Sequence, residues 1–301
     1  MMKDIFILLL FVLAVVIIEN PSVVFAEDGR SFNSRPDEPK RIISLTPGNT
    51  EILFALGLGD RIVGVAGCCD YPEAVKKCEK IGDYAYPDLE KIMLLKPDLV
   101  LCGGGVQKEF ALKLIALKIP SIALYPENLK EVSDGILVIG KAAGREKEAV
   151  LLIKRIEDRM NKVKSMITKD KKPKVYFEIW NLPLISAGKG SFIDELITLA
   201  GGENIFSNVN KAFPQVSAEE VIKRNPDIII TAYMGKKGRI SKELINRSGW
   251  SKVKAVKENR VFDDIDSDLL LRPGPRLADG LEEISKKIQN STEKEYSTTK
   301  K

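Results

Sequence analysis

Apolar positions in this chain fall into two kinds of run. Short apolar stretches, Arg41-Ile42-Ile43-Ser44-Leu45, Ile62 to Ala66, Leu99-Val100-Leu101-Cys102 and Ile122-Ala123-Leu124, predict buried strands, and Lys174 to Ile179, Ile228 to Thr231 and Arg260-Val261-Phe262 follow later. Helical segments lie between them. One is capped near Asn49 or Thr50 and stopped at Gly57, another runs from Lys108 to Leu117, and another from Ser191 to Ala200 ends at Gly201-Gly202. Further helices are expected near Ser241 to Asn246 and from Pro275 to about Gln289. Alternation of strand and helix predicts the α/β class, with parallel sheets faced by helices.

One pattern occurs twice, 129 positions apart: Asp88-Leu89-Glu90-Lys91-Ile92 then Lys96-Pro97-Asp98-Leu99-Val100, and Ser217-Ala218-Glu219-Glu220-Val221 then Asn225-Pro226-Asp227-Ile228-Ile229. In each copy a capping residue opens a short helix, a glutamate follows two positions later, and Pro-Asp leads into a strand. The repeat predicts two similar α/β lobes, with a small molecule held in the cleft between them. Between the copies, from Arg145 to Thr168, Val150, Ile153, Ile156, Met160, Val163 and Ile167 recur at helical spacing. At about 1.5 Å per residue, such a helix reaches about 36 Å, enough to bridge two lobes. The expected organisation is an N-terminal lobe over 40–143, a linking helix over 144–170, a C-terminal lobe over 171–289 and a disordered polar tail over 290–301.

The N-terminus adds export. The apolar run from Ile5 to Ile18 follows Lys3 and precedes Val24-Phe25-Ala26, which predicts a signal peptide over 1–26 cleaved after Ala26 and a flexible start over 27–39. No cysteine sits near that point to carry a lipid. Cleavage removes one lysine and two acids, moving the formal charge from +5 to +6. That charge is spread over lysine-rich surface such as Lys169 to Lys174 without interleaved aromatics, so no nucleic-acid partner is expected.

Four cysteines, Cys68, Cys69, Cys78 and Cys102, fall in the first half. An oxidising compartment favours a local disulfide joining Cys78 to Cys69 or Cys68, with Cys102 buried at a strand end. There is no histidine. This removes triads with a histidine base and histidine-ligated metals, and no resident metal or cofactor is expected.

Three segments fall where strands should end. They are Cys69-Asp70-Tyr71-Pro72 with Asp83-Tyr84, Ile179-Trp180-Asn181 with Phe213-Pro214-Gln215, and Asp266 to Arg276. Ligands in open α/β sheets sit outside the carboxyl ends of strands, so Tyr71, Tyr84, Trp180 and Phe213 are candidate walls for a bulky, mostly apolar ligand. Asp268 and Arg272 are candidates for hydrogen bonds to its polar edge, although a structural ion pair explains them nearly as well, and Arg276 reads as an ordinary first-turn residue. Glu90 and Glu219 occupy equivalent places in the repeat and suit a two-fold symmetric basic partner. The competing class is an exported enzyme using Asp70, Asp83 and Asp268.

Taken together, Arg41 through Glu51, Asp70-Tyr71-Pro72, the Leu89 to Val100 repeat, Gly201-Gly202-Glu203-Asn204-Ile205-Phe206 and Pro214-Gln215-Val216-Ser217 resemble the periplasmic cobalamin-binding proteins of ABC importers, within the wider group that binds ferric siderophores and haem. The resemblance implies two Rossmann-like lobes joined by one long helix, a monomeric, non-enzymatic periplasmic receptor, and a corrinoid as transported ligand. It places ligand contacts at Tyr71, Tyr84, Phe213, Asp268 and Arg272, beside Trp180, and permease docking at Glu90 and Glu219. An iron siderophore or haem is the alternative ligand. The chain departs from the enterobacterial pattern at Gly103, where that pattern has tryptophan, at Ile179, where it has an aromatic, and in placing Cys69 and Cys78.

Overall fold

The computed structural model describes residues 23–26, 38–167, 172–233 and 240–299. The apolar run 5–18 and the segment 27–37 lie outside them. The chain divides into two compact units. Unit 1 takes the described residues up to Thr46, then Gly59–Tyr125 and Lys141–Gly144; unit 2 takes Pro47–Leu58, Pro126–Gly140 and the described residues from Arg145 on. Residues 47–58 and 126–140, counted by sequence with the N-terminal lobe, thus group with unit 2.

Unit 1 is built on β1 (Val23–Ala26), β2 (Ile42–Ser44), β3 (Ile62–Val65), β4 (Glu79–Lys80), β5 (Leu99–Cys102) and β6 (Ser121–Leu124), in the order β1-β6-β5-β2-β3-β4. All pairings are parallel except β1 on β6. β1 was not expected, since it coincides with the cleavage region of the signal peptide; Val23, Val24 and Phe25 are strand-favouring residues. Between β2 and β3 the chain forms α1 (Pro47–Ala55), opened by proline at its first position and closed at Gly57, whose φ of 73° suits glycine. The unit 1 helices are α2 (Leu89–Leu95) and α3 (Val106–Ala116).

Unit 2 takes in α1, α4 (Leu129–Ala142) up to Gly140 and α5 (Glu146–Ser165). Its sheet runs β11-β10-β7-β8, from β7 (Lys174–Asn181), β8 (Leu184–Ser186), β10 (Ile228–Thr231) and β11 (Val261–Phe262), and β9 (Glu203–Asn204) also pairs with β7. Only the β7–β8 hairpin is antiparallel. The remaining helices are α6 (Phe192–Leu199), α7 (Ala218–Arg224), α8 (Ile240–Ile245), α9 (Lys254–Lys257), α10 (Ser267–Leu271) and α11 (Leu277–Thr299). α11 continues through the segment expected to be disordered. That stretch lacks glycine and proline, and Glu293, Lys294 and Glu295 are good helix formers.

The repeat is reproduced in its N-terminal caps, its left-handed helix ends and its Pro-Asp bonds. Asp88 caps α2 by accepting from Lys91 N at 3.1 Å, and Ser217 caps α7 by accepting from Glu220 N at 3.1 Å. Both helices end on a left-handed residue, Lys96 with φ 46° and Asn225 with φ 47°. The Pro-Asp carboxylates then do the same work: Asp98 Oδ2 accepts from Arg41 N, and Asp227 Oδ2 from Lys174 N, each at 2.8 Å. Ile92 and Val221, at matching places, are both fully buried in the cores of their units.

In α5 the buried residues are Ala149, Leu152, Met160 and Val163, whereas Val150 of the expected stripe is exposed. The start of the helix is set by its neighbour. A Cβ on Gly140 would lie 2.4 Å from Ala149 Cβ, and Arg145 N donates to Gly140 O at 2.6 Å, so α4 and α5 touch through small residues and Ala149 is turned inward. Within unit 2, α5 also packs on α11, where Arg159 reaches Asp279 at 2.6 Å and Glu282 at 2.7 Å.

The expected disulfide is corrected: none of Cys68, Cys69, Cys78 and Cys102 is joined in a disulfide. Cys69 Sγ faces Ser44 O at 4.0 Å and Cys78 Sγ faces Ile62 O at 3.9 Å. Ser44 pairs with Val65 and Ile62 with Ile42, so the two thiols face opposite ends of β3, about 10 Å apart along the strand. Cys102 is buried as expected, and burial pushes its thiol up to about 12. Maleimide labelling of the native protein at about pH 8 should therefore modify exposed Cys68 quickly, and Cys69 and Cys102 only after unfolding. A count of two free thiols in unreduced, unfolded protein would restore the disulfide.

Candidate functional site

In unit 1 the carboxyl ends of β2, β3 and β5 are carried on by Thr46, by the 66–72 loop and by Gly103-Gly104-Gly105. Tyr71 and Tyr84, both sequence candidates, are 47% and 42% exposed, so each presents ring surface to solvent. The glycine turn explains how Tyr84 is seated. A Cβ on Gly103 would lie 2.7 Å from Thr46 Cγ2 and 3.2 Å from Tyr84 Oη, and the Tyr84 hydroxyl reaches Gly104 O at 3.5 Å. The next glycine seats a second ring, since a Cβ on Gly104 would lie 2.3 Å from Tyr125 Cβ. Tyr125, missed by the sequence reading, follows β6 directly, and Lys108 Nζ lies 5.9 Å from its ring centre. Burial, with a smaller contribution from the Cys68 charge, raises the Tyr84 phenol above its ordinary value.

In unit 2, Trp180 is the penultimate residue of β7 and is 39% exposed, with Nε1 donating to Leu182 O at 3.1 Å. Its ring leans on Tyr233, centroid to centroid 5.7 Å. Beneath them lies a buried ionic cluster that apolar patterning could not reveal. Glu178 is wholly buried in β7 and grips Arg247 through two bonds, Nη1 to Oε2 at 2.7 Å and Nη2 to Oε1 at 2.8 Å. Tyr176 donates to Oε2 at 2.9 Å, and the Tyr233 hydroxyl donates to Oε1. Every carboxylate oxygen is thus satisfied twice, as burial of the charge demands. Burial, reinforced by the Glu178 charge, pushes both phenols up. For Arg247, burial works the other way and is outweighed by Glu178, so its guanidinium holds its proton more tightly still.

Phe213 packs edge-on against Phe192 at 5.7 Å, and the 213–215 segment lies beside the hairpin: Trp180 pairs with Ile185, which bridges to Gln215. Asp268 and Arg272 do meet, at 2.9 Å. They belong to a larger cluster, because Glu51 of α1, almost wholly buried, accepts from Arg272 at 3.3 Å and from Arg276 at 2.5 and 2.8 Å. Arg276, expected to be an ordinary first-turn residue, is therefore a structural anchor. Gly48 completes the fit, since a Cβ there would lie 2.7 Å from Pro273 O.

Glu90 and Glu219 sit in the first turns of α2 and α7, both exposed, and neither carboxylate has an intramolecular partner among the described residues. Among the described residues no group of His, Cys, Asp and Glu is arranged to hold a metal ion, and no helix is long and apolar enough to cross a membrane.

Two parallel-sheet units, repeat helices with bare glutamates, and aromatic strand-end loops define a receptor for small solutes. The chain matches the periplasmic binding protein family over residues 42–268, and it belongs to that family. It is 39% identical over 267 residues to the uncharacterized ABC transporter substrate-binding lipoprotein YvrC of Bacillus subtilis (strain 168), covering 86% of this chain and 82% of that one. A solved structure of a possible iron-binding (periplasmic solute-binding) protein from Staphylococcus epidermidis superposes with a TM-score of 0.74 at 35% identity, covering 84% of this chain and 99% of that one. The periplasmic vitamin B12 binding protein BtuF of Vibrio cholerae gives 0.71 at 27% identity, covering 85% and 99%. The chain is thus a substrate-binding transport protein that works with an ABC importer permease, not an enzyme.

The Glu178 cluster gives two measurable outcomes. Arg247→Met leaves a buried carboxylate without its countercharge and should cost about 3–5 kcal/mol in urea unfolding. Tyr176 and Tyr233 have raised values in the folded chain, so the unfolded chain loses these protons first. Their stabilisation is complete below the ordinary phenol value of 10.0 and is lost as pH rises through the folded values. Urea midpoints should therefore fall above about pH 10, less steeply in Tyr233→Phe; an unchanged slope in that variant would remove Tyr233 from the linkage.

Proposed function

We propose that this receptor captures cobalamin or a related corrinoid outside the inner membrane and passes it to the importer's permease. Tyr71 and Tyr84 of unit 1 and Trp180 and Phe213 of unit 2 supply apolar contact, while Asp268 and Arg272 hydrogen-bond the peripheral amides. The observation that carries this reading is the set of half-exposed aromatic rings at strand carboxyl ends in a chain without histidine. A corrin brings its cobalt already held by four ring nitrogens, so the protein need only offer flat apolar surface and hydrogen bonds. Vitamin B12 binding by the similar Vibrio cholerae protein supports the choice. Export follows the signal peptide reading, with cleavage after Ala26 removing β1 and leaving β6 as the sheet edge.

An iron chelate or haem is the second reading, favoured by the Staphylococcus epidermidis relative described as possibly iron-binding. Iron ligation by tyrosine needs a phenolate. Burial raises the Tyr84 phenol, which weighs against that role for this residue.

Titration of the mature protein with cyanocobalamin, haemin and ferrichrome separates the readings. Trp250 is wholly buried and Trp180 half-exposed, so saturable one-to-one quenching by cyanocobalamin should vanish in Trp180→Phe. Binding of an iron compound alone would replace the ligand and keep the transport role.

Delivery depends in this proposal on Glu90 and Glu219, whose bare carboxylates suit arginines of a dimeric permease. Reversing both charges, Glu90→Lys with Glu219→Lys, should abolish corrinoid uptake by cells while leaving affinity in the titration unchanged. Weakened binding in the double variant would sink the docking role.

A further inference from the structure

Gln107 is a wholly buried amide near the start of α3, and all its bonds go to main-chain groups of three separate segments. Its Oε1 accepts from Gly103 N at 2.6 Å in the turn after β5. Its Nε2 donates to Leu45 O at 3.0 Å at the end of β2, and to Tyr84 O at 2.7 Å in the loop before α2. The assignment of oxygen and nitrogen is fixed by this set, since the flipped amide would put its oxygen against two carbonyls. Both amide protons are therefore committed, and one of them holds the main chain of Tyr84.

The seat for the Tyr84 ring is prepared from the other side. The side-chain space at Gly103 is taken up by Thr46 Cγ2 and Tyr84 Oη, at 2.7 and 3.2 Å from where a Cβ would stand. Gln107 fixes that same Gly103 through its peptide N–H, so one buried side chain sets both the ring-bearing residue and the surface on which the ring rests.

We propose that Gln107 is the positioning residue of the unit 1 ligand face, holding Tyr84 on the glycine turn so that its exposed ring is pre-set for the ligand. The inference rests on Tyr84 being a ligand contact, as proposed above. Pre-set geometry raises affinity because the ring's freedom is lost in folding and not in binding.

The test is a double-mutant cycle on the mature protein with cyanocobalamin as probe, using Gln107→Met, Tyr84→Ala and the pair. Gln107→Met should weaken binding about tenfold by releasing Tyr84, and the pair should bind no more weakly than Tyr84→Ala. Additive losses would overturn the proposal. A ligand-free readout separates it from the ligand assignment: in protein labelled with 3-fluorotyrosine, the Tyr84 fluorine resonance, identified by its loss in Tyr84→Phe, should move toward the free-tyrosine position in Gln107→Met. An unmoved resonance overturns the positioning role whatever the ligand, whereas a moved resonance in a protein that does not bind cyanocobalamin overturns only the corrinoid reading. Should Gln107→Met fail to fold, Thr46→Ser combined with Gly103→Ala relieves the Thr46 contact and sets the new methyl group against the Tyr84 hydroxyl and, at 3.4 Å, against Gln107 Oε1. The same shift is expected there, and its absence again overturns the proposal.

Discussion

In each unit a carboxylate from one strand's approach fastens the entry of the strand beside it. Asp98 holds Lys40 N and Arg41 N before β2, and Asp227 holds Lys174 N at the start of β7. The reverse bonds, Asp98 N to Arg41 O and Asp227 N to Lys174 O, close each clamp at 2.8 Å. A slip of one residue would turn every side chain of a strand to the opposite face, so fixing this one pair sets β5 on β2 and β10 on β7. With parallel register fixed, the carboxyl ends of the parallel strands in a unit emerge on one side, β1 and β8 running the other way. The places of Tyr84, in the loop after β4, and of Trp180, near the end of β7, are consequences of that constraint.

The two units solve the same problem at those ends with different chemistry. In unit 1 the loops are tied by a neutral amide, Gln107, and seated by glycines. In unit 2 the corresponding depth is filled by a charge, Glu178, that has to be matched by Arg247 and two phenols. A neutral amide costs little to bury once its bonds are made, whereas a buried ion pair repays its desolvation only with near-complete hydrogen bonding. The unit 2 arrangement meets that requirement, and it is joined to the half-exposed Trp180 through Tyr233, on which the indole leans.

Much of this was legible in the sequence because it is written in local signals. Fully apolar runs marked β5 and β10, the caps at Asp88, Ser191 and Ser217 opened the helices they announced, and Gly57 and Gly201 closed theirs. What could not be read depends on pairing across long separations. Glu51 and Arg276 lie 225 positions apart and Glu178 and Arg247 lie 69 apart, so no periodicity links them. The cysteines misled for the same reason. Closeness in sequence suggested a bridge, but β3 stands between the two thiols and carries them to opposite ends.

The clamp also accounts for the form of the proposed docking surface. A helix of seven residues gains little stability by itself, so α2 and α7 are held by their caps, by one buried residue each and by the strand that follows. Those anchors make no use of Glu90 or Glu219 in the first turn. A glutamate there gains from the helix N-terminus without needing an intramolecular cation, so its carboxylate stays available. Both helices share the same kind of N-terminal cap and Pro-Asp bond, so Glu90 and Glu219 stand in like local settings, and in the docking proposed above a partner built from two like halves would read both with one kind of basic group.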